Sequence, residues 1–383
     1  MSSLSARNEL VDRLRGFALV LLVLEAARQY FHTAAYSFDP IDAARTTLPI
    51  FLTRWVTFLA APTFALIAGV SIHLRRVAGA NNKALSLYLL KRGLLLMVLE
   101  VTVVAIGRDF ALPPPILFAA LGTLGVAFVA MAAFIWLPRR LVLALGVATL
   151  LVTDALSHIH LWGFGLLTRV WQFLHEAIVI VHGNRLIAEI DYAVIPWTAI
   201  VMIGYGLAPI FVQPPKQRDR SLLTLGALLV LLFLVLRGLN IYGDPQPWSI
   251  NANATRTLMS FFAISKFPPS LDYACATLGL AFAAAPLLMR LPKPAGELLR
   301  VLGATALFAY VLHFYLMHAL ALATLYVTRQ DVSATFDQVG KMAVEPQAHA
   351  GVGFDLPAVY IAWIVVLAML YPLCRWRLSK RPS

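Results

Sequence analysis

The chain has 383 residues, of which 60% are hydrophobic and only 13% charged. A soluble globular chain usually carries about 25% charged and 45–50% apolar residues, so a soluble fold is excluded and the class is a polytopic integral membrane protein. Lys and Arg exceed Asp and Glu by 31 to 19, a net charge of +12. These basic residues sit in short clusters between apolar runs, as membrane topology requires. A nucleic-acid-binding domain would gather them on one solvated face, so no nucleic-acid partner is expected.

A helix spans the hydrocarbon core with about 20 mostly apolar residues. Ten such runs follow one another: 14–34, 49–73, 86–107, 115–137, 141–160, 192–212, 221–241, 269–290, 301–326 and 357–376. There is no period-2 alternation, so a β-barrel is out. The expected fold is one all-α bundle of about ten transmembrane helices over 1–383. The first run exceeds a signal-peptide core and has no small-residue cleavage site after it, so it is read as the first transmembrane helix. With the N-terminus inside, 20 of the 31 basic residues fall on the inner side. Both termini are therefore expected in the cytoplasm, with a tail over 1–13.

Inner loops are short and basic, such as Gln213–Arg220 (QPPKQRDR). Three outer segments are long, 161–191, 242–268 and 327–356, and suggest a lid over an outward cavity. Within the first, Leu167–His182 reads as an interfacial or re-entrant helix.

An ionisable side chain inside a membrane helix is costly and marks a functional candidate. Here these are Glu25, Arg28, His32, Arg54, Glu100, Asp154, Asp272, His313 and His318. Glu25, Arg28 and His32 lie at i, i+3 and i+7, on one helix face. At about 1.5 Å per residue from Leu14, His32 sits roughly 27 Å up, near the outer interface. His313 and His318 are five apart, a poor spacing for joint ligation. Ser265–Asp272 (SKFPPSLD) places Lys266 beside a Pro-Pro corner at a helix entry, where it can bind an anionic group or snorkel to headgroups. Cys275 and Cys374 lie in apolar runs and form no metal spacing. His158 and His160 (SHIH), at i, i+2, do not face one site. There is no Gly-rich phosphate loop and no HExxH, so no metal is expected.

Several blocks carry a resemblance: Asp12–Gly16 (DRLRG), Glu25–His32 (EAARQYFH), Phe38–Ala68, Pro196–Gly206 (PWTAIVMIGYG), Tyr242–Trp248 (YGDPQPW), Ser265–Gly279 (SKFPPSLDYACATLG) and Phe308–His318 (FAYVLHFYLMH). In order and spacing they resemble the bacterial branch of the transmembrane acyltransferases related to heparan-α-glucosaminide N-acetyltransferase, from about residue 10 to 376. The resemblance implies a ten-helix enzyme of the plasma membrane that moves an acetyl group from cytosolic acetyl-CoA to an amino sugar on the far side. It places the key histidine at His32. In bacterial relatives the first-helix motif usually reads Asp-His-x-Arg-Asp-(Phe/Tyr)-Phe-His; here Glu25 and Ala26 stand at its first two positions.

On that reading His32 is the base or transient acetyl carrier, and Glu25 and Arg28 complete the catalytic set. Arg54, Lys266 and Asp272 are expected near the co-substrate or the acceptor, His313 and His318 along the CoA channel, and Arg92 at its nucleotide end. A homodimer is allowed. Two other readings stay open. One is a catalytically degenerate relative with a binding role, to which Ala26 points. The other is a transporter of a small solute or lipid-linked sugar, although the inverted repeats it calls for are not visible.

Overall fold

The computed structural model describes residues 8–35, 37–157, 159, 161, 163–182, 185–336 and 351–380. His158 and His160, and residues 337–350 of the third outer segment, lie outside them. Helix α1 (Glu9–Phe31) begins where the Asn8 side chain accepts a hydrogen bond from the Val11 amide, and ends at His32. Helices α2 (Leu48–Thr57) and α3 (Ala60–Val77) are nearly continuous. Helix α4 (Asn82–Leu99) runs into a π-turn at Glu100–Val104 and a short α5 (Ala105–Asp109), which stops at Phe110 in the left-handed region (φ 45°). Strand β1 (Ile116–Phe118), α6 (Ala120–Phe134), α7 (Arg139–Ser157), α8 (Leu166–His175), β2 (Ile178–His182) and β3 (Arg185–Ile190) follow. The remainder is helical: α9 (Val194–Leu207), α10 (Pro215–Leu239), α11 (Ala254–Phe262), α12 (Leu271–Met289), α13 (Lys293–Ala304), α14 (Ala306–Val327) and α15 (Leu356–Ser379).

The chain is thus a multi-pass helix bundle, with one feature the all-α expectation lacked. A three-stranded sheet in the order β1–β3–β2 caps one end. β1 pairs in parallel with β3 (Leu117 opposite Glu189), and β2 pairs antiparallel with it. Leu167–His182, expected as a helix, is half helix and half strand. Its second half, Ile178–His182 (IVIVH), is rich in β-branched residues that favour a pleated surface.

Among the described residues, six helical stretches are long and apolar enough to cross a membrane, not the ten expected: Leu48–Val77, Val194–Val212, Pro215–Leu239, Leu271–Met289, Ala306–Val327 and Leu356–Ser379. The other four expected runs fall short for identifiable reasons. Helix α1 carries Glu9, Asp12, Arg13, Arg15, Glu25 and Arg28. The run 86–107 is cut by the π-turn at Glu100. The run 115–137 yields a 15-residue helix after a strand. Helix α7 opens on Arg139 and Arg140 and carries Asp154.

Packing divides the helices into a centre and a rim. The apolar windows of α9 and α12 are 78% buried, those of α10 and α15 only 22%. The rim helices expose Leu228, Leu231, Val235, Ile361 and Ile364, a surface suited to lipid. Centre helices meet closely through glycine: a Cβ on Gly69 would strike the backbone of Val201, and one on Gly204 that of Leu66, so α3 and α9 touch backbone to backbone. Polar ties fix the two ends of the bundle. At the basic end the Asn8 amide donates to the Phe211 carbonyl (3.0 Å), Arg13 to that of Leu288 (2.7 Å) and Arg76 to that of Ile135 (3.2 Å). At the opposite end the Thr33 amide donates to the Phe354 carbonyl (3.1 Å), the Trp55 indole to that of Phe262 (2.9 Å) and the Gly243 amide to Asp154 (3.1 Å).

Candidate functional site

A cavity of about 910 Å³ runs into the bundle from the basic end, near the top of the usual range for small-molecule sites of about 300–1,000 Å³. Arg15 of α1, Arg75 of α3, Arg92 of α4 and Arg377 of α15 stand along its wall, with Tyr88. Arg75 lies over the Tyr88 ring at 3.9 Å, and Arg15 is held by Asp12 (3.2 Å) and the Ser71 hydroxyl. Deeper in, the wall is apolar: Leu96, Leu99, Leu124, Phe128, Leu307 and Phe308. Tyr192, Trp197 and Tyr310 also border it.

Tyr192 connects this cavity to a buried charge cluster. The Lys266 ammonium lies 5.2 Å from the centre of the Tyr192 ring and 4.7 Å from that of Phe267. Burial, and then the neighbouring Arg54 guanidinium, push the Lys266 amine down to about 7. Glu25 anchors the cluster. Its carboxylate accepts from Arg28 (2.7 Å), from Arg54 and from the Thr57 hydroxyl (2.7 Å). The Arg28 and Arg54 side chains are 5% and 12% exposed, so both ion pairs are shielded from water. The sequence-expected Glu25, Arg28, Arg54 and Lys266 therefore do come together.

On the other side of Tyr192, Arg108 faces Glu189 (3.7 Å) and Asp191 (3.9 Å) across the edge of the sheet. The Tyr30 hydroxyl donates to the Arg108 carbonyl. Burial and the adjoining Asp191 carboxylate push Glu189 up to about 8.

His32 caps α1 one turn beyond Arg28. Its Nδ1 accepts the Ala34 amide (3.1 Å), so in this arrangement the neutral ring carries its proton on Nε2. The backbone on either side of it is stitched to Phe354, whose amide donates to the Phe31 carbonyl (2.7 Å).

The remaining expected residues lie elsewhere. Asp272, at the start of α12, belongs to a separate knot. Its amide donates to the Gly243 carbonyl (2.8 Å), and its carboxylate lies 4.0 Å from Arg237. Arg237 donates to the carbonyls of Phe261 (2.8 Å), Gln246 (2.7 Å), Ser260 (3.1 Å) and Ala263 (2.6 Å). Asp244 accepts from the Ser265 amide (2.7 Å) and the Ser270 hydroxyl (2.6 Å). His313 is buried in α14, bonded to the Tyr310 carbonyl of its own helix and packed on Phe314 at 4.0 Å. His318 stacks on Phe110 at 3.7 Å with an interplanar angle of 14°. Of the six residues expected to hold the co-substrate, Arg92 alone lines the cavity.

The residues that sequence reasoning missed are Arg15, Arg75, Arg377, Tyr192, Tyr310 and Glu189. The arginines had registered only as topology markers, since a basic residue near a helix end looks the same in either role. Nothing in the pattern around Tyr192 set it apart from other interfacial tyrosines.

The fold is a multi-pass bundle of the plasma or inner membrane, with an arginine-walled cavity and a buried charge cluster joined through Tyr192. The family described as "Heparan-alpha-glucosaminide N-acetyltransferase, catalytic" matches residues 7–247, and the chain belongs to that acyltransferase family. Glu25, Arg28, His32, Arg54, Arg92 and Tyr192 fall inside the matched region; Lys266, Asp272, His313 and His318 fall beyond it. No curated protein matches the chain.

Proposed function

We propose that this protein is an acyltransferase that carries an acetyl group from cytosolic acetyl-CoA to an amino sugar or similar amine on the opposite side of the membrane. The observation that carries the reading is the cavity, charged at its basic end and apolar within. A CoA ester has the same order of chemistry: phosphates at one end, a flexible arm, and a thioester at the other. Arg15, Arg75, Arg92 and Arg377 would pair with the phosphates. The corridor from Leu96 to Phe308 would take the arm. The thioester would then lie by Tyr192 and Tyr310, next to the Glu25 cluster.

We also propose that both termini lie in the cytoplasm. The polar ties support it, because the chain alternates between the two tied ends. It runs from Asn8 to Thr33, back to Arg76, and onward until α15 leaves Phe354. The charges of α1 face protein partners, which is where membrane helices tolerate them. The positive-inside bias puts the basic end in the cytoplasm.

Acyl transfer to an amine needs a group to take the amine's proton and donors for the oxyanion. His32 at the outer end of α1 and Lys266 at the cluster are the groups placed for proton transfer. To act as base, the His32 ring must first exchange its Nε2 proton or release the Ala34 amide. Glu25, bound by Arg28 and Arg54, holds the cluster in shape. In this reading Asp272, His313 and His318 shape the scaffold and do not contact the CoA.

The test is CoA release from acetyl-CoA by purified protein in detergent, with glucosamine as trial acceptor, beside His32→Ala and Arg92→Ala. Turnover in the wild type, lost in His32→Ala and weakened in KM by Arg92→Ala, is expected. Absence of both acetyl-CoA binding and turnover in well-folded wild-type protein would falsify the reading.

A further inference from the structure

Three buried tyrosines have their hydroxyls committed. Tyr30 donates to the Arg108 carbonyl, Tyr273 donates to that of Phe58 (2.9 Å), and Tyr205 accepts from Arg76 (2.6 Å). This is the rule for polar groups in a protein interior, where an unmade hydrogen bond costs about 1–3 kcal/mol. The two tyrosines that border the inner part of the cavity differ, in that their hydroxyls are not committed within the described residues. Among the described residues, no hydrogen bond engages the hydroxyl of Tyr192 or of Tyr310.

Both are nonetheless firmly held. The Thr123 hydroxyl donates to the Tyr192 carbonyl (3.0 Å), and the Tyr192 ring packs on Trp197 at 4.9 Å and edge-on to Phe267 at 5.1 Å. Tyr310 sits on α14, 8% exposed, wedged against His313 and Phe314. The two residues come from different parts of the chain, the β3–α9 junction and α14, and border the same space. Each lies within electrostatic range of the other and of Arg108.

We infer that Tyr192 and Tyr310 form the oxyanion hole of this site, their hydroxyls donating to the thioester carbonyl oxygen as it takes on negative charge. The inference rests on the acyl-transfer reading and adds catalytic residues to it. In the step, the neutral amine nitrogen of the acceptor attacks the thioester carbon and the C=O electron pair moves onto oxygen, where the two hydroxyls stabilise it. Collapse reforms the C=O bond and breaks C–S, and CoA leaves as the thiolate. The N–H proton passes to the base and from there to the thiolate. Rigid, desolvated donors of this kind act mainly in the transition state, so they raise kcat and leave ground-state binding nearly unchanged.

The experiment is steady-state kinetics of CoA release by Tyr192→Phe, Tyr310→Phe and the double variant, with a thermal melt of each. Phenylalanine keeps the ring, its packing and the aromatic face under Lys266, and removes only the hydroxyl. The expected loss in kcat is about 10²–10³-fold for each single variant, with KM for acetyl-CoA within about twofold and melting no lower than wild type. Wild-type kcat in both single variants overturns the inference, as does a loss carried by KM alone. A lowered melting temperature also overturns it, by showing that the hydroxyls are already engaged within the protein. A wild type that releases no CoA at all removes the acyl-transfer reading itself, and the hole with it.

Discussion

Two buried clusters use the same kinds of side chain in opposite proportions. The knot at the start of α12 gathers two carboxylates, Asp244 and Asp272, around one guanidinium, Arg237, with a third, Asp154, alongside at the Gly243 amide. The cluster beside the cavity gathers three cations, Arg28, Arg54 and Lys266, around one carboxylate, Glu25. In the knot the surrounding backbone supplies most of the hydrogen bonding: four carbonyls take up Arg237, and amides and hydroxyls take up Asp244, while Asp272 Oδ1 has no hydrogen-bond partner among the described residues. In the cavity cluster Lys266 rests on aromatic faces and, among the described residues, has no carboxylate at ion-pair distance. A network tied to this many backbone groups holds a fold together. On the acyl-transfer proposal, a cluster with surplus cations beside a cavity serves an anion or a developing negative charge.

The largest expected effect therefore falls on the knot. Arg237→Met leaves buried carboxylates without their cation, a change that typically costs about 3–5 kcal/mol. Loss of a monodisperse peak in detergent, or a steep fall in melting temperature, would be seen; a melt within a degree of wild type contradicts the assignment. Arg54→Met should behave differently, because Glu25 keeps Arg28 and Thr57. The protein is expected to stay folded while kcat falls about 10²-fold, the usual cost of misplacing a reacting group by about 1 Å. Equal losses of stability in the two variants would erase the contrast between the clusters.

A smaller effect is expected at the basic end. Arg92→Ala should raise KM for acetyl-CoA about tenfold, or about 1.4 kcal/mol, and reduce the dependence of KM on ionic strength. An unchanged KM would move the phosphates away from this wall.

The pH dependence is subtler still. Lys266 is neutral only above about 7, so if it takes the acceptor's proton, the rate rises through that pH, and Lys266→Arg abolishes the rise. Glu189 contributes to stability with the opposite slope. Its folded value of about 8 lies above the roughly 4.3 of an unfolded chain, so between those values the native state holds the proton and the unfolded state does not. Stability should fall as pH rises from about 4.3 to 8. Glu189→Gln should flatten that part of the melting-temperature profile; a profile that keeps its slope would place the proton elsewhere.

How much of this could be read from the sequence follows from the range of each interaction. Glu25 and Arg28 are three apart on one helix, and their pairing was legible from periodicity alone. Arg54 joins them from α2, and its presence there was legible only as a polar residue in an apolar run. Asp272 looked like a site residue for the same reason, yet its partners, Arg237 and Gly243, lie about thirty residues away and claim it for the scaffold. His313 and His318 show the same limit, since a histidine on an apolar helix reads alike whether it meets a channel or a stack on Phe110. Helix existence was well marked by hydropathy. The number of long apolar spans was overestimated, because hydropathy alone did not weigh the charges of α1 or reveal the π-turn at Glu100. The sheet was invisible because its strands are three to six residues long and β1 pairs with a segment about seventy residues further on.

That parallel pairing bears on how the chain is assembled. β1 has its partner only after α6, α7 and α8 have been made and the chain has returned to the same end of the bundle. Long-range pairings of this sort form late, because the intervening loop must first be closed. The ladder between Ile116 and Ala188 therefore ties together two segments between which α6, α7, α8 and β2 must all have been placed. A substitution that broke it would free the sheet edge that holds Glu189 and Asp191 opposite Arg108.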